Sequence, residues 1–167
     1  MKADNRNFIF AGFCAAIYCG IVLALPRYTP LLEADSHGYL TFSATRPALY
    51  PAFLAACQWL GLGLEQIGWG QLGLFAAALL YVLLVLQRCG FPRWLLFGMV
   101  VVLAANILYS SLHLAIMSEA LYFPMNLVVV ALSIDYLRKP RMSALIGAGL
   151  GLGLNIGLRV AAISLVP

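Results

Sequence analysis

Residues 50–63, Tyr-Pro-Ala-Phe-Leu-Ala-Ala-Cys-Gln-Trp-Leu-Gly-Leu-Gly, decide how this chain folds. They are apolar enough to enter a bilayer but too short to cross one, because a hydrocarbon core of ~30 Å takes about 17–25 helical residues. Pro47 and Pro51 frame the start, Gly61 and Gly63 close the end, and Glu65 follows. If this segment crosses the membrane, every later helix reverses direction. If it lies along one face, none does. The charges on either side make the choice.

Longer uncharged runs lie outward in both directions. Residues 8–25 precede the segment, 68–87 follow it, and 94–110, 120–137 (uncharged as far as Asp135) and 142–158 complete the set. Basic residues gather in the short stretches between runs. Lys2 and Arg6 precede the first, Arg88 and Arg93 flank the Cys89-Gly90-Phe91-Pro92 turn, and Arg138-Lys139-Pro140-Arg141 precedes the last. Short loops rich in Lys and Arg stay cytoplasmic. With the N-terminus and Arg88 on that side, an odd number of crossings separates residues 26–49 from Arg88. Residues 50–63 therefore read as an interfacial, juxtamembrane helix on the outer face. The expectation is an all-α polytopic membrane protein with a single transmembrane domain over 1–167. It has about five transmembrane helices and a cytoplasmic N-terminus. The first run exceeds the ~7–15 residues of a signal-peptide core and lacks a small-x-small cleavage site, so it reads as an uncleaved anchor.

Composition agrees. The chain is 63% hydrophobic and 10% charged, with a mean hydropathy of +0.96, against about 25% charged for a soluble domain. The net charge of +4 is spread over loop clusters and forms no patch, which excludes a nucleic-acid partner. Cys14, Cys19, Cys57 and Cys89 make no Cys-x-x-Cys pair and read as small apolar fillers. The last run carries Gly147, Gly149, Gly151, Gly153 and Gly157. Small residues four apart let helices approach closely. A nucleotide-binding loop would need a strand before it in an aqueous domain, so packing is the expectation.

The few charges concentrate in one island after the first run, Glu33-Ala34-Asp35-Ser36-His37-Gly38-Tyr39, followed by Arg46. The topology brings Glu119 and Arg159 to the same face. Glu119 interrupts a stretch otherwise uncharged through residue 134. A charge at mid-membrane costs about 2.5–3.5 kcal/mol, so Glu119 is expected near the surface or in a wet cavity. Asp35 and Glu119 are the candidate catalytic groups. Asp35 can take the proton of an attacking hydroxyl, or help hold a divalent cation such as Mg or Mn. Arg46 and Arg159 are candidate phosphate clamps, since guanidinium grips phosphate in a bidentate fork. Snorkelling to lipid headgroups is the competing reading. His37 and Tyr39 complete the candidate binding set. His37 and His113 can shuttle protons or ligate a metal, although two histidines without repeated ligand spacing argue against zinc. Tyr39, Tyr50, Trp59 and Trp69 also read as interfacial aromatics.

The ordered set of an anchor helix, an outer loop with Asp35-Ser36-x-x-Tyr39, Arg46, Tyr50-Pro51 opening an interfacial helix, Ser118-Glu119 in a later outer turn, and Arg159 ending an outward helix resembles the N-terminal part of polytopic GT-C glycosyltransferases. These include bacterial relatives of protein mannosyltransferases and the aminoarabinose transferase that modifies lipid A. The resemblance implies a polyprenyl-phosphate sugar donor and a lipid, glycan or protein acceptor. It places the site on the periplasmic face of the bacterial inner membrane. It implies that Asp35 is the base or a metal-proximal carboxylate, that Glu119 is the acid of the second outer loop, and that Arg159 is an arginine often followed by proline in the family; here Val160 follows. Family members have more spans, so the chain matches only their front. Two other readings are a non-catalytic membrane scaffold or partner subunit joined through the glycine-rich helix, and a small transporter. The latter predicts ionisable groups near mid-bilayer and an inverted repeat.

Overall fold

The computed structural model describes residues 2–24, 32–44 and 46–159. Among these residues the chain is all-α, with eight α-helices and one short 3-10 turn. In chain order they are α1 (Lys2–Ala24), α2 (Ser36–Leu40), α3 (Leu49–Trp59), α4 (Leu64–Arg88), α5 (Arg93–Ala105), α6 (Ile107–Ser111), the 3-10 turn Leu112–Leu114, α7 (Glu119–Arg138) and α8 (Met142–Leu158).

Apolar spacing sets which faces meet. Ala11, Cys14, Tyr18 and Val22 form one stripe of α1, and Leu96, Val100 and Ala104 form one stripe of α5; all are buried. These i, i+3 and i+4 steps place side chains on one helical face. They close on α4, whose Leu72, Phe75, Leu79, Val82 and Leu83 share the same core cluster. α4 is the central helix, packed against α1 on one side and α7 on the other, and α8 packs on α7. Gln87 and Arg93 both bond to Asn7, at 3.4 and 3.1 Å. The start of α1 therefore lies beside the α4–α5 turn, at the end opposite the polar island.

Among the described residues, three helices are long and apolar enough to cross a membrane: Asn5–Ala24, Leu64–Arg88 and Glu119–Arg138. By helix length and hydropathy the chain is a candidate multi-pass membrane protein. The expected span over 94–110 is not one straight helix. It breaks between α5 and α6 with a 73° bend, and the pair counts as a fourth span only if taken together. Asn106 is the cause. It adopts φ −76° and ψ 90°, and its side chain accepts the Tyr109 N–H at 3.1 Å. That bond caps the new helix and competes with continuation of the old one. Carbonyls freed at the end of α5 are met by the Ser110 hydroxyl, which donates to Ala104 O at 3.0 Å and to Leu103 O at 3.4 Å. The expected fifth span, α8, has 17 residues, about 25 Å at 1.5 Å per residue, short of a ~30 Å core.

The segment over 50–63 is the short helix α3, as its length predicts. It ends earlier than expected because Gly61 takes φ 78° and closes a Schellman motif, with Leu62 N–H on Cys57 O and Gly61 N–H on Gln58 O. Only glycine enters that left-handed region without strain. Gln66 then accepts the Gly63 N–H at 2.8 Å and starts α4. Tyr50 is not an interfacial aromatic. It is fully buried and accepts a bond from Gln71 Nε2 at 2.8 Å, whereas Trp59 is 87% exposed. Tyr39, Tyr50, Leu54, Ile67, Ile116 and Leu158 form a second core, which lies beneath the polar island.

The glycines of α8 divide in two. A Cβ on Gly151 would stand 2.8 Å from Val129 Cγ2, and one on Gly147 3.2 Å from Leu132 Cδ1. Gly149 and Gly153 have nothing within 4 Å. Close approach to α7 therefore uses one face of the stripe only. Gly151→Ala is expected to destabilise the protein by about 1–3 kcal/mol through overpacking. Gly149→Ala is expected to be neutral or to stabilise by up to ~1 kcal/mol by removing helical glycine entropy. Thermal unfolding in detergent measures both, and the reverse order would discard this α7–α8 packing.

Candidate functional site

The island folds around a very short helix. Asp35 precedes α2 but does not cap it. After α2 the chain turns back sharply at Phe42, which takes φ 52°, a left-handed conformation that is uncommon outside glycine. Ser43 N–H reaches Gly38 O at 2.9 Å, and Arg46 N–H reaches Ser43 O at 3.0 Å. This turn carries the Arg46 side chain back over α2. A Cβ on Gly38 would sit 3.4 Å from Arg46 Nε, in ordinary van der Waals contact, so the approach does not require glycine there. Arg46 Nη2 donates to Asp35 Oδ1 at 2.5 Å. Its guanidinium carbon lies 5.3 Å from the centre of the Tyr39 ring, within cation–π range. The hydrogen bond to Asp35 holds the Arg46 pKa above its ordinary value.

The second acid arrives on α7. Glu119 is the first residue of that helix, where the dipole favours negative charge. Its Oε1 accepts from Arg159 Nη1 at 2.5 Å, and its Oε2 accepts from the Ser118 hydroxyl at 3.2 Å. Ser118 Oγ in turn lies 2.9 Å from Tyr39 OH. Because Ser118 gives its proton to the carboxylate, Tyr39 is the donor in that bond. One continuous set of contacts results: Asp35 to Arg46, Arg46 over Tyr39, Tyr39 to Ser118, Ser118 to Glu119 and Glu119 to Arg159. The structure thus brings together both carboxylates and both arginines singled out from sequence, with Tyr39 at the centre. His37 joins neither ion pair. It is exposed, and its carbonyl accepts from Thr41. His113 lies in a different place, fully buried against Phe75 and Tyr109, with Nε2 2.7 Å from Tyr18 OH.

Ser36 and Ser118 are the residues that sequence reasoning missed. Ser36 is fully buried; its hydroxyl accepts the Glu33 N–H and donates to Ile116 O, both at 2.8 Å. Each serine adjoins one of the two acids at a helix start, a position where small polar side chains commonly serve backbone groups. That adjacency was the available signal.

Both ion pairs remain wet. The side chains of Arg46 and Asp35 are 31% and 47% exposed, and those of Arg159 and Glu119 are 44% and 14% exposed. Exposed pairs of this kind contribute little net stability. Beside the second pair, an apolar groove of about 470 Å³ is lined by α3, α4, α7 and α8, including Leu121 and Leu158, sequence neighbours of the pair. From Leu121 to Val128 along α7 it extends about 10 Å into the apolar body at the helical rise of 1.5 Å per residue. The donor set does not fit a divalent cation. Among the described residues no three His, Cys, Asp or Glu side chains gather, and Asp35 faces a guanidinium.

In comparisons with known proteins, no family model, curated protein or solved structure matches the chain.

The Tyr39–Ser118 bond joins the two halves of the site, so it carries measurable coupling. Tyr39→Phe and Ser118→Ala are each expected to cost about 1 kcal/mol of stability. The double mutant should recover roughly 0.5–1.5 kcal/mol of the sum. Additive losses in a thermal-unfolding cycle would mean the two halves are held independently.

Proposed function

We propose that the chain is a membrane glycosyltransferase, or the N-terminal part of one, that uses a polyprenyl-phosphate sugar donor and acts on an extracytoplasmic acceptor. The observation that carries this reading is the linking of two acid–arginine pairs, from three separate stretches of sequence, through Tyr39 and Ser118, with an apolar groove lined by Leu121 and Leu158, sequence neighbours of the second pair. Guanidinium groups suit a phosphate, an apolar groove suits an isoprenoid chain, and a carboxylate beside them suits a hydroxyl proton. The short motifs around Asp35, Tyr50-Pro51, Ser118-Glu119 and Arg159 point the same way.

In this reading the acceptor hydroxyl attacks the anomeric carbon of the sugar. A carbon–oxygen bond forms to the acceptor as the bond to the phosphate oxygen breaks. The electron pair leaves with the polyprenyl phosphate, whose charge Arg46 and Arg159 neutralise, and the hydroxyl proton goes to Asp35. Glu119 orients the acceptor and keeps Arg159 in place. His37, exposed at the edge of α2, lies where it can contact a sugar. The acceptor is a lipid, a glycan or a protein, and membrane lipids surround the body of the chain.

A non-catalytic membrane subunit is the second reading. It is favoured by the fact that each carboxylate already has a partner, as a purely structural charge would.

Asp35→Asn separates the two. As a general base, its loss should lower sugar transfer from a polyprenyl-phosphate donor by about 10²-fold or more, with membrane insertion intact. Undiminished transfer would remove Asp35 from the chemistry. Sidedness is tested by labelling. Ser36 is buried, so the probe belongs at the exposed His37. In a Cys57→Ala background, His37→Cys is expected to react with an impermeant maleimide from outside. Cys89, exposed at the opposite end, is expected to react only after the membrane is opened. Reversed labelling would place the site on the cytoplasmic face.

A further inference from the structure

Both arginines suited to a phosphate are already engaged, each by a carboxylate suited to chemistry. In each pair one carboxylate oxygen is engaged by a guanidinium N–H, and a guanidinium bound to carboxylate is locally neutral. As arranged, the site holds its base and its clamps against each other. We propose that the two ion pairs are exchanged on binding: a phosphate ester carried on a lipid takes Arg46 from Asp35 and Arg159 from Glu119, and the carboxylates become available only while that phosphate is bound.

This rests on the reading that a lipid phosphate is the ligand, and adds the order of events within the site. Three features support it. First, Arg46 reaches Asp35 through Nη2, and Arg159 reaches Glu119 through Nη1. Each guanidinium thus gives its carboxylate one of five N–H donors, and a phosphate that takes two in parallel replaces a single bond with two. Second, both arginines and Asp35 are part-exposed, at 31%, 44% and 47%, so the guanidinium groups are within reach of a ligand from solvent; Glu119, 14% exposed, depends on the hydrogen bond described next. Third, the carboxylates have somewhere to stay. Glu119 keeps the Ser118 hydroxyl on its other oxygen, and Ser118 is itself held by Tyr39, so losing Arg159 does not release the acid from the site. Asp35 is 47% exposed and is taken over by water or by the acceptor hydroxyl. The groove flanked by Leu121 and Leu158 favours a phosphate borne on an apolar chain over a free one. Acceptor deprotonation therefore follows donor binding, which keeps the base idle in an empty site.

The test is binding, with no turnover required. Farnesyl phosphate is titrated calorimetrically into the full chain in dodecyl maltoside, a detergent without phosphate, with inorganic phosphate and farnesol run in parallel. Removing the internal competitor should strengthen binding. Asp35→Asn and Glu119→Gln are each expected to bind farnesyl phosphate about threefold to fivefold more tightly than the unaltered chain, the size of competition that an exposed ion pair offers. Arg46→Gln and Arg159→Gln are expected to bind it about tenfold more weakly or worse. If the arginine variants lose affinity and the acid variants do not gain it, the exchange is overturned while the phosphate site stands. If the arginine variants bind unchanged, or nothing binds, the exchange and the lipid-phosphate reading fall together. Inorganic phosphate binding as tightly as farnesyl phosphate would overturn the lipid assignment. The two pairs lie on different elements, so a variant that does not fold leaves the other pair to decide.

Discussion

The whole site depends on how a buried, non-helical stretch satisfies its backbone. Between the 3-10 turn and α7 the chain runs through Ala115, Ile116 and Ser118, all nearly inaccessible to solvent. A buried carbonyl without a partner costs about 1–3 kcal/mol, and Ile116 has left helical geometry. Ser36, eighty residues earlier, donates to it. That bond pins α2 against the start of α7. With α2 pinned, Tyr39 falls beside Ser118 and edge-on to Tyr50 at 5.0 Å between centroids, and Tyr50 is fixed by Gln71 on α4. The polar island is thus referred, bond by bond, to the central helix.

The bend at Asn106 makes that stretch available. A straight helix over 94–110 would spend its residues crossing the membrane. The 73° break turns the chain so that α6 and the 3-10 turn lie against α1 and α4. There Tyr18 on α1 and Phe75 on α4 enclose His113, with Tyr109 edge-on. A polar ring on so apolar a face is costly unless hydrogen-bonded; the 2.7 Å bond to Tyr18 meets that cost at Nε2, while Nδ1 is buried with no partner among the described residues. His113 reads as a fastener for the turned segment, which is why the proton-shuttle and metal readings of this histidine find no support in its surroundings.

Much of the fold was legible because it depends on counting. Long uncharged runs mark three of the long helices, α1, α4 and α7. The shortness of 50–63 marks α3 as a short helix. Legibility ends where a single polar side chain competes with helix continuation. Asn106 sits inside an apolar run, and hydropathy averages over it; only its capping bond to Tyr109 reveals the break. The site was legible as a set of charges on one face, since few charges exist to be placed. Their pairing was not, because the contact of Asp35 with Arg46 depends on the left-handed turn at Phe42, and that of Glu119 with Arg159 depends on the packing of α8 against α7. Tyr50 was misread for a related reason. An aromatic beside prolines at a membrane surface has the composition of an interface anchor, and nothing local announces that Gln71, twenty-one residues on, meets its hydroxyl.

The polar contacts fall into two kinds, and the division explains how one small site can be both fixed and responsive. Tyr18–His113, Tyr50–Gln71, Ser36–Ile116 and Tyr39–Ser118 are buried bonds, and Asn126–Asn155 on α7 and α8 is partly buried. In a low-dielectric setting such bonds are expensive to break, because each partner would be stranded. They set register and cannot be remodelled cheaply. The two ion pairs are part-exposed, through both partners in Arg46–Asp35 and mainly through the arginine in Arg159–Glu119, and exposed pairs hold geometry without holding much free energy. A fold that needed its charges for stability would have buried them or surrounded them with further bonds. This one relies on neutral pairs for register and leaves its arginines part-exposed, where a ligand of opposite sign can compete for them without disturbing the bonds beneath.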